Sequence, residues 1–189
     1  NFRKLKELDL SNNRISRVES INVFSGAPYL INLDLSSNLI DSKALGRVNF
    51  NIVTYLERIN LSSNRLTVLK SLLFDNLKQL EFIDISNNQI IRIDTNTFYR
   101  LSRCKYIYML NISNQLSSSS ILLKENFISE CESLISIHIS SLDLVRNNLP
   151  GIYSSLKAVY TNRKVNEADY YKSINIGLNY DYYKSNTKL

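Results

Sequence analysis

Glycine and proline are scarce in this chain, with 4 Gly and 2 Pro among 189 residues. Few glycines predict few turns at special backbone angles, so the connections must be built another way. No apolar run is long enough to cross a bilayer. No basic n-region followed by an apolar h-region opens the chain. It starts at Asn1, and Met109 is its sole methionine, so a fragment or a processed form is expected. The two cysteines, Cys104 and Cys131, are too few for a disulfide scaffold and lack metal-ligand spacing. The single histidine, His138, has no second ligand spaced for a metal and no Ser or Cys nucleophile in a recognisable motif. A glycine-rich phosphate loop and an HExxH pair are also missing. These absences predict no enzyme, no cofactor and no metal.

The charge is unbalanced but not clustered. The chain carries a net +6, with a pI near 9.3. Its Lys and Arg are scattered, with Asp and Glu between them. A nucleic-acid binder gathers basic charge in a stripe, so a solvated mixed surface is the reading here and nucleic acid is not expected as a partner. At 21.8 kDa, with 44% apolar and 21% charged residues, the chain can bury one real core.

What is present is a repeat. It begins at Leu5, Leu30, Leu56, Leu80, Ile107 and Leu134, in steps of 25, 26, 24, 27 and 27 residues. The clearest copy is Leu80–Ile90, LEFIDISNNQI. A serine column runs Ser11, Ser36, Ser62, Ser86, Ser113 and Ser140. An acidic or amide column runs Asp9, Asp34, Asn60, Asp84 and Asn111, ending at His138. An asparagine column runs Asn13, Asn38, Asn64 and Asn88, then breaks at Gln115 and Leu142. Apolar residues two apart predict a strand with one buried face, and such strands bury it only by stacking side by side. Parallel strands need crossovers. Those between copies carry their own apolar marks, such as Phe24, Leu69, Phe74, Ile93 and Phe98, which suit short helical or 3₁₀ turns.

In these columns the chain resembles the leucine-rich repeat proteins, in the subclass of about 24 residues per repeat found in Toll-like receptors and insect leucine-rich immune proteins. The resemblance covers residues 1–144, about six repeats. It implies an α/β solenoid, a horseshoe with a parallel concave sheet and short helical, 3₁₀ or irregular convex segments. It also implies that Asn13, Asn38, Asn64 and Asn88 form an inward ladder to loop backbone, satisfying groups that the bend would bury unpaired. Residues 145–189 read as a degenerate repeat followed by a C-terminal strand, where Ile174 to Tyr182 alternate with polar residues, either a capping strand on the open sheet edge or a crossover into a further repeat. No cysteine-rich cap is present, although extracellular members of the family commonly carry them.

The resemblance makes the concave strand face the binding surface. Arg58, Phe82, Tyr108 and His138 depart from the repeat pattern, and Phe82 and Tyr108 read as neighbours there. With Asp84 and Asn111 they form the candidate patch for a protein or peptide ligand, exposed aromatics being good anchors. The Asp and Ser columns are otherwise what the repeat itself carries. Asn60 and Asn111 each open an Asn-x-Ser glycosylation triplet, which the template also creates whenever its Asp becomes Asn. Cys104 and Cys131 each stand three residues before a repeat start, which makes them equivalent sites on adjacent coils. They read either as buried apolar fillers or as a disulfide between coils. Two functions stay open: a receptor ectodomain or secreted recognition protein, extracellular or at the cell surface, and an intracellular, cytoplasmic scaffold subunit. The phenylalanine-bearing repeats and the glycosylation triplets favour the first; the lack of caps favours the second.

Overall fold

The computed structural model describes residues 2–18, 22–99, 101, 103–109, 122–123 and 136–139. Strands follow in chain order: β1 Glu7–Asp9, β2 Asn32–Asp34, β3 Arg58–Asn60, β4 Val68–Leu69, β5 Phe82–Asp84, β6 Arg92–Ile93, β7 Tyr106–Met109, β8 Leu122–Leu123 and β9 Ser136–Ile139. A short helix, α1 (Ser42–Leu45), and a 3₁₀ turn at Phe50–Ile52 occupy the second crossover. Six strands make one parallel sheet in the order β1-β2-β3-β5-β7-β9. Each of these coils thus adds one strand, and the coils stack as the expected solenoid with this sheet on its concave side.

The central residues of β1, β2, β3 and β5 point toward the core. Leu33, Ile59 and Ile83 are buried, while Leu8 in the first coil is only half-buried. The apolar positions flanking them, such as Leu56, Leu61, Leu66, Leu80, Ile85 and Ile90, complete one continuous cluster. The crossovers bury a row of phenylalanines. Phe24, Phe50, Phe74 and Phe98 lie with ring centroids 6.5, 6.1 and 5.7 Å apart. A second parallel sheet, β4-β6-β8, also lies in the crossovers. The sequence marks Leu69 and Ile93 as apolar but not as strands, because two-residue strands carry no readable period. The Ser42 hydroxyl helps start β4 by accepting the Thr67 and Val68 amides, each at 2.8 Å. Asp41 caps α1, accepting the Ala44 amide at 2.7 Å.

The asparagine column joins coil to coil. Asn64 donates to the Leu35 carbonyl of the previous coil at 2.9 Å and accepts the Ile40 amide at 3.0 Å. Within its own coil it donates to the carbonyls of Leu61 and Ser62. Asn38 repeats this with Leu10 and Ile15, and Asn88 with Leu61 and Leu66. All three are buried. Asn13 is exposed and bonds only within its own coil, to Leu10 and Ser11.

Two expectations need correction. Turns at positive φ do occur, without glycine. Asn12, Ser37, Ser63 and Asn87 hold φ of 56°, 53°, 54° and 53°, each just before a ladder asparagine. Asn reaches this region at modest cost and Ser at roughly 1–2 kcal/mol, so the repeat does without glycine there. The fifth coil also starts three residues earlier than its apolar pattern first suggests. The sheet register sets Ile83 opposite Ile107 and Ile107 opposite Ile137. Cys104 therefore takes the place of Leu80, and the repeat starts there rather than at Ile107. Two apolar frames overlap in this stretch, one at Cys104, Ile107 and Met109, the other at Ile107, Leu110 and Ile112. The first is selected because it continues the backbone pattern. The Cys104 amide bonds Leu101 as Leu80 bonds Leu77, and the Lys105 amide reaches Glu81 at 2.9 Å.

The new frame removes the equivalence of the cysteines. Leu134, not Cys131, matches Cys104 by count, so the argument for a disulfide between equivalent sites fails. Cys104 is buried, with its Sγ 3.9 Å from the Glu81 carbonyl. Cys131, Asn111, Gln115, Leu142 and the whole of 145–189 lie outside the described residues.

Candidate binding surface on the concave sheet

β1, β2, β3 and β5 are three residues long, so each offers two outward positions to the concave face around one inward residue, and β7 and β9 continue their register. Register aligns these positions into two rows. One row is Glu7, Asn32, Arg58, Phe82, Tyr106 and Ser136. The other is Asp9, Asp34, Asn60, Asp84, Tyr108 and His138.

The second row is largely committed to local structure. Asp9, Asp34 and Asp84 accept the amides of Ser11, Ser36 and Ser86 at 2.8, 2.8 and 2.9 Å. Asn60 accepts the Ser62 amide at 3.1 Å and its hydroxyl at 2.8 Å. An Asx side chain thus turns the chain out of β1, β2, β3 and β5, which is why this column recurs. The hydrogen bonds from the Ser11 side chain and backbone hold the Asp9 carboxyl below its ordinary range. The Asn60 amide nitrogen also donates to Asp34 at 3.1 Å, so the atom that would carry a glycan is already engaged between strands.

The first row changes character along the sheet. At its start Asn32 donates to Glu7 at 3.2 Å. At β3 and β5 the Arg58 guanidinium lies 5.8 Å from the centroid of the half-buried Phe82 ring, within cation–π range. Tyr106 then follows Phe82 in register, and Tyr108 follows Asp84. The expected Phe82–Tyr108 adjacency is therefore replaced by Phe82–Tyr106. Tyr106 escapes a reading by sequence because the competing frame places it before the repeat. Arg58, Phe82, Asp84, Tyr108 and His138 do fall on consecutive strands, with His138 opposite Tyr108. No group of three or more His, Cys, Asp or Glu able to hold a metal occurs among the described residues. No helix among them is long and apolar enough to cross a membrane.

Just beside the sheet, Glu81 receives Lys105 Nζ at 2.9 Å and Arg103 at 3.5 Å. The Lys105 hydrogen bond lowers its carboxyl below the ordinary value, against partial burial, with the charges of Lys105, Arg103 and Arg58 helping.

Two family models match the chain, both described as leucine rich repeat, one over residues 54–116 and one over residues 4–26. Among curated proteins, Receptor like protein 28 of Arabidopsis thaliana is 30% identical over 159 residues, covering 84% of this chain and 20% of that protein. Toll-like receptor 3 of Bos taurus is 32% identical over 159 residues, covering 79% of this chain and 16% of that protein. The chain thus spans a fifth or less of the length of these two relatives. Among solved structures, an internalin from Listeria monocytogenes superposes with a TM-score of 0.53 at 15% identity, over 73% of this chain and 35% of that one. That likeness is one of fold.

Proposed function

The chain is a leucine-rich repeat protein, and from that premise we propose that it is a recognition module that holds a protein or peptide ligand on its concave sheet. The patch is centred on Arg58, Phe82 and Tyr106, with Asp84, Tyr108 and His138 in the adjoining row. One observation carries the reading: the Arg58–Phe82 pair interrupts a face that over β1, β2, β3 and β5 is otherwise built from Asp, Asn and Glu tied to one another or to serine amides. Those groups are held in place by local bonds and offer a ligand acceptors but no apolar area. A planar cation stacked near an aromatic ring offers apolar area and bidentate donors together, a common make-up for an interface anchor. Sequence relatives that are receptors by name support placing the module in a receptor or secreted protein outside the cell.

The test needs no known partner. Peptides are selected from a random phage library on the folded chain and their affinities measured. Arg58→Ala with Phe82→Ala is expected to weaken the dominant peptides thirtyfold or more, about 2 kcal/mol. Unchanged affinity across the dominant peptides would reject the concave patch.

A further inference from the structure

A second surface lies on the flank of the solenoid, at the approach to the strands. Ile31 donates its amide to Lys6 at 2.7 Å, Glu57 to Ile31 at 2.8 Å, and Glu81 to Glu57 at 2.7 Å. These backbone links set Lys6, Ile31 and Glu57 side by side, one coil apart. A second column, one position before each repeat start, holds Tyr29, Tyr55 and Gln79. The two tyrosine rings pack at 5.4 Å between centroids, yet remain 52% and 54% exposed. Together with Arg3 and Lys4 these residues line one open groove.

The groove is polarised. In coil order Arg3, Lys4 and Lys6 come first, then Tyr29 and Ile31, then Tyr55 with Glu57, and Gln79 last. Among the described residues none of Arg3, Lys4, Lys6 and Glu57 forms an ion pair. The next coil shows the contrast, since Glu81 there is neutralised by Lys105 and Arg103. A nucleic-acid strand would meet the basic end and the rings, but Glu57 would repel its phosphates.

We propose that this groove binds an extended peptide segment of a partner protein, ordered acidic, apolar, basic. Acidic side chains meet Arg3, Lys4 and Lys6, an apolar side chain lies on the Tyr29–Tyr55 pair, and a basic side chain reaches Glu57. The spacing follows from the coils. Lys6 and Glu57 are two coils apart, roughly 10 Å at strand pitch, and an extended peptide advances about 3.3 Å per residue. The acidic and basic side chains therefore stand about three positions apart. The site is separate from the concave patch and does not rest on it.

The probe is a fluorescein-labelled peptide reading glutamate, glutamate, leucine, phenylalanine, lysine, followed by fluorescence anisotropy on the full 189-residue chain. Saturable binding is expected. It should weaken tenfold or more with Lys4→Glu plus Lys6→Glu, and likewise with Tyr29→Ala plus Tyr55→Ala. The Arg58→Ala plus Phe82→Ala variant should bind as the parent does. Changing the peptide's glutamates to glutamine should weaken it similarly. Glu57→Lys should weaken this peptide and strengthen one ending in glutamate, a reversal that misfolding cannot mimic. If a multiple variant is unfolded by circular dichroism, the Glu57→Lys reversal decides alone. Absence of saturable binding, affinity indifferent to the flank substitutions, or loss with the concave pair instead would overturn the proposal. So would displacement of the peptide by a ten-nucleotide oligothymidylate whose own binding is lost with Lys4→Glu plus Lys6→Glu, since the groove would then be a nucleic-acid site.

Discussion

Among single residues, the asparagines of one column differ sharply in what they hold. Asn64 satisfies three carbonyls and one amide, and it is buried. Alanine there strands the Ile40 amide, while the Leu35 carbonyl keeps the Asn38 side-chain amide at 3.1 Å, and a buried orphan costs about 1–3 kcal/mol. We expect Asn64→Ala to lose about 1–3 kcal/mol in urea denaturation and Asn13→Ala under about 1 kcal/mol, because Asn13 is exposed and spans no coils. Equal losses would remove the ladder as a source of stability. A second residue works against the fold. Leu72 holds φ at 59° while 51% exposed, and Asn96, 24 residues on, holds 58° in the next coil. A branched side chain in that region costs roughly 1–2 kcal/mol, which asparagine lowers. Leu72→Asn is expected to raise the urea midpoint with an unchanged slope, a gain of up to about 1 kcal/mol.

Between elements, the phenylalanine row is the contact that binds crossover to crossover. Phe74 is fully buried between Phe50 and Phe98. Phe74→Ala should cost about 3–5 kcal/mol. Phe24, at the end of the row with one ring neighbour, should cost less. A double-mutant cycle on Phe74 and Phe98 should show coupling of about 0.5–1.5 kcal/mol, and additivity would deny the ring contact a role of its own. Glu81 and Lys105 join the fourth coil to the fifth in another way. The folded carboxyl titrates below its ordinary 4.5, so its contribution is complete above that value and lost as pH falls through the lowered folded value. The parent should therefore lose stability in acid more steeply than Lys105→Met. Parallel acid profiles for the two proteins would show that the pair contributes nothing.

For the whole solenoid, each coil touches only its neighbours, so protection from opening should follow burial along the stack. Ile59 and Ile83 are fully buried, whereas Leu8 and Leu10 in the first coil are half-buried. Hydrogen exchange followed by mass spectrometry should be slowest in peptides covering β3 and β5 and faster over β1. Uniform protection would mean that the stack opens as one unit.

The repeat, its strands and the burial of their central residues were legible because a period of two inside a period near 24 leaves few ways to bury one face. The column identities at Asn38, Asn64 and Asn88 could be read for the same reason, since each coil presents the same backbone groups to the same position. Residues 104–112 could not be framed from sequence, because Cys104 and Leu110 serve equally well as apolar ends of competing frames. Only hydrogen bonding to Leu101 and Glu81 chose between them, and with that choice Tyr106 moved beside Phe82. The flank groove was hidden for a related reason. Lys6, Ile31 and Glu57 follow no shared chemistry, so no column announces them; they meet because stacking puts equal positions of successive coils side by side. The amino-acid order thus determined what every coil looks like, and the tertiary structure decided which unlike residues share a surface.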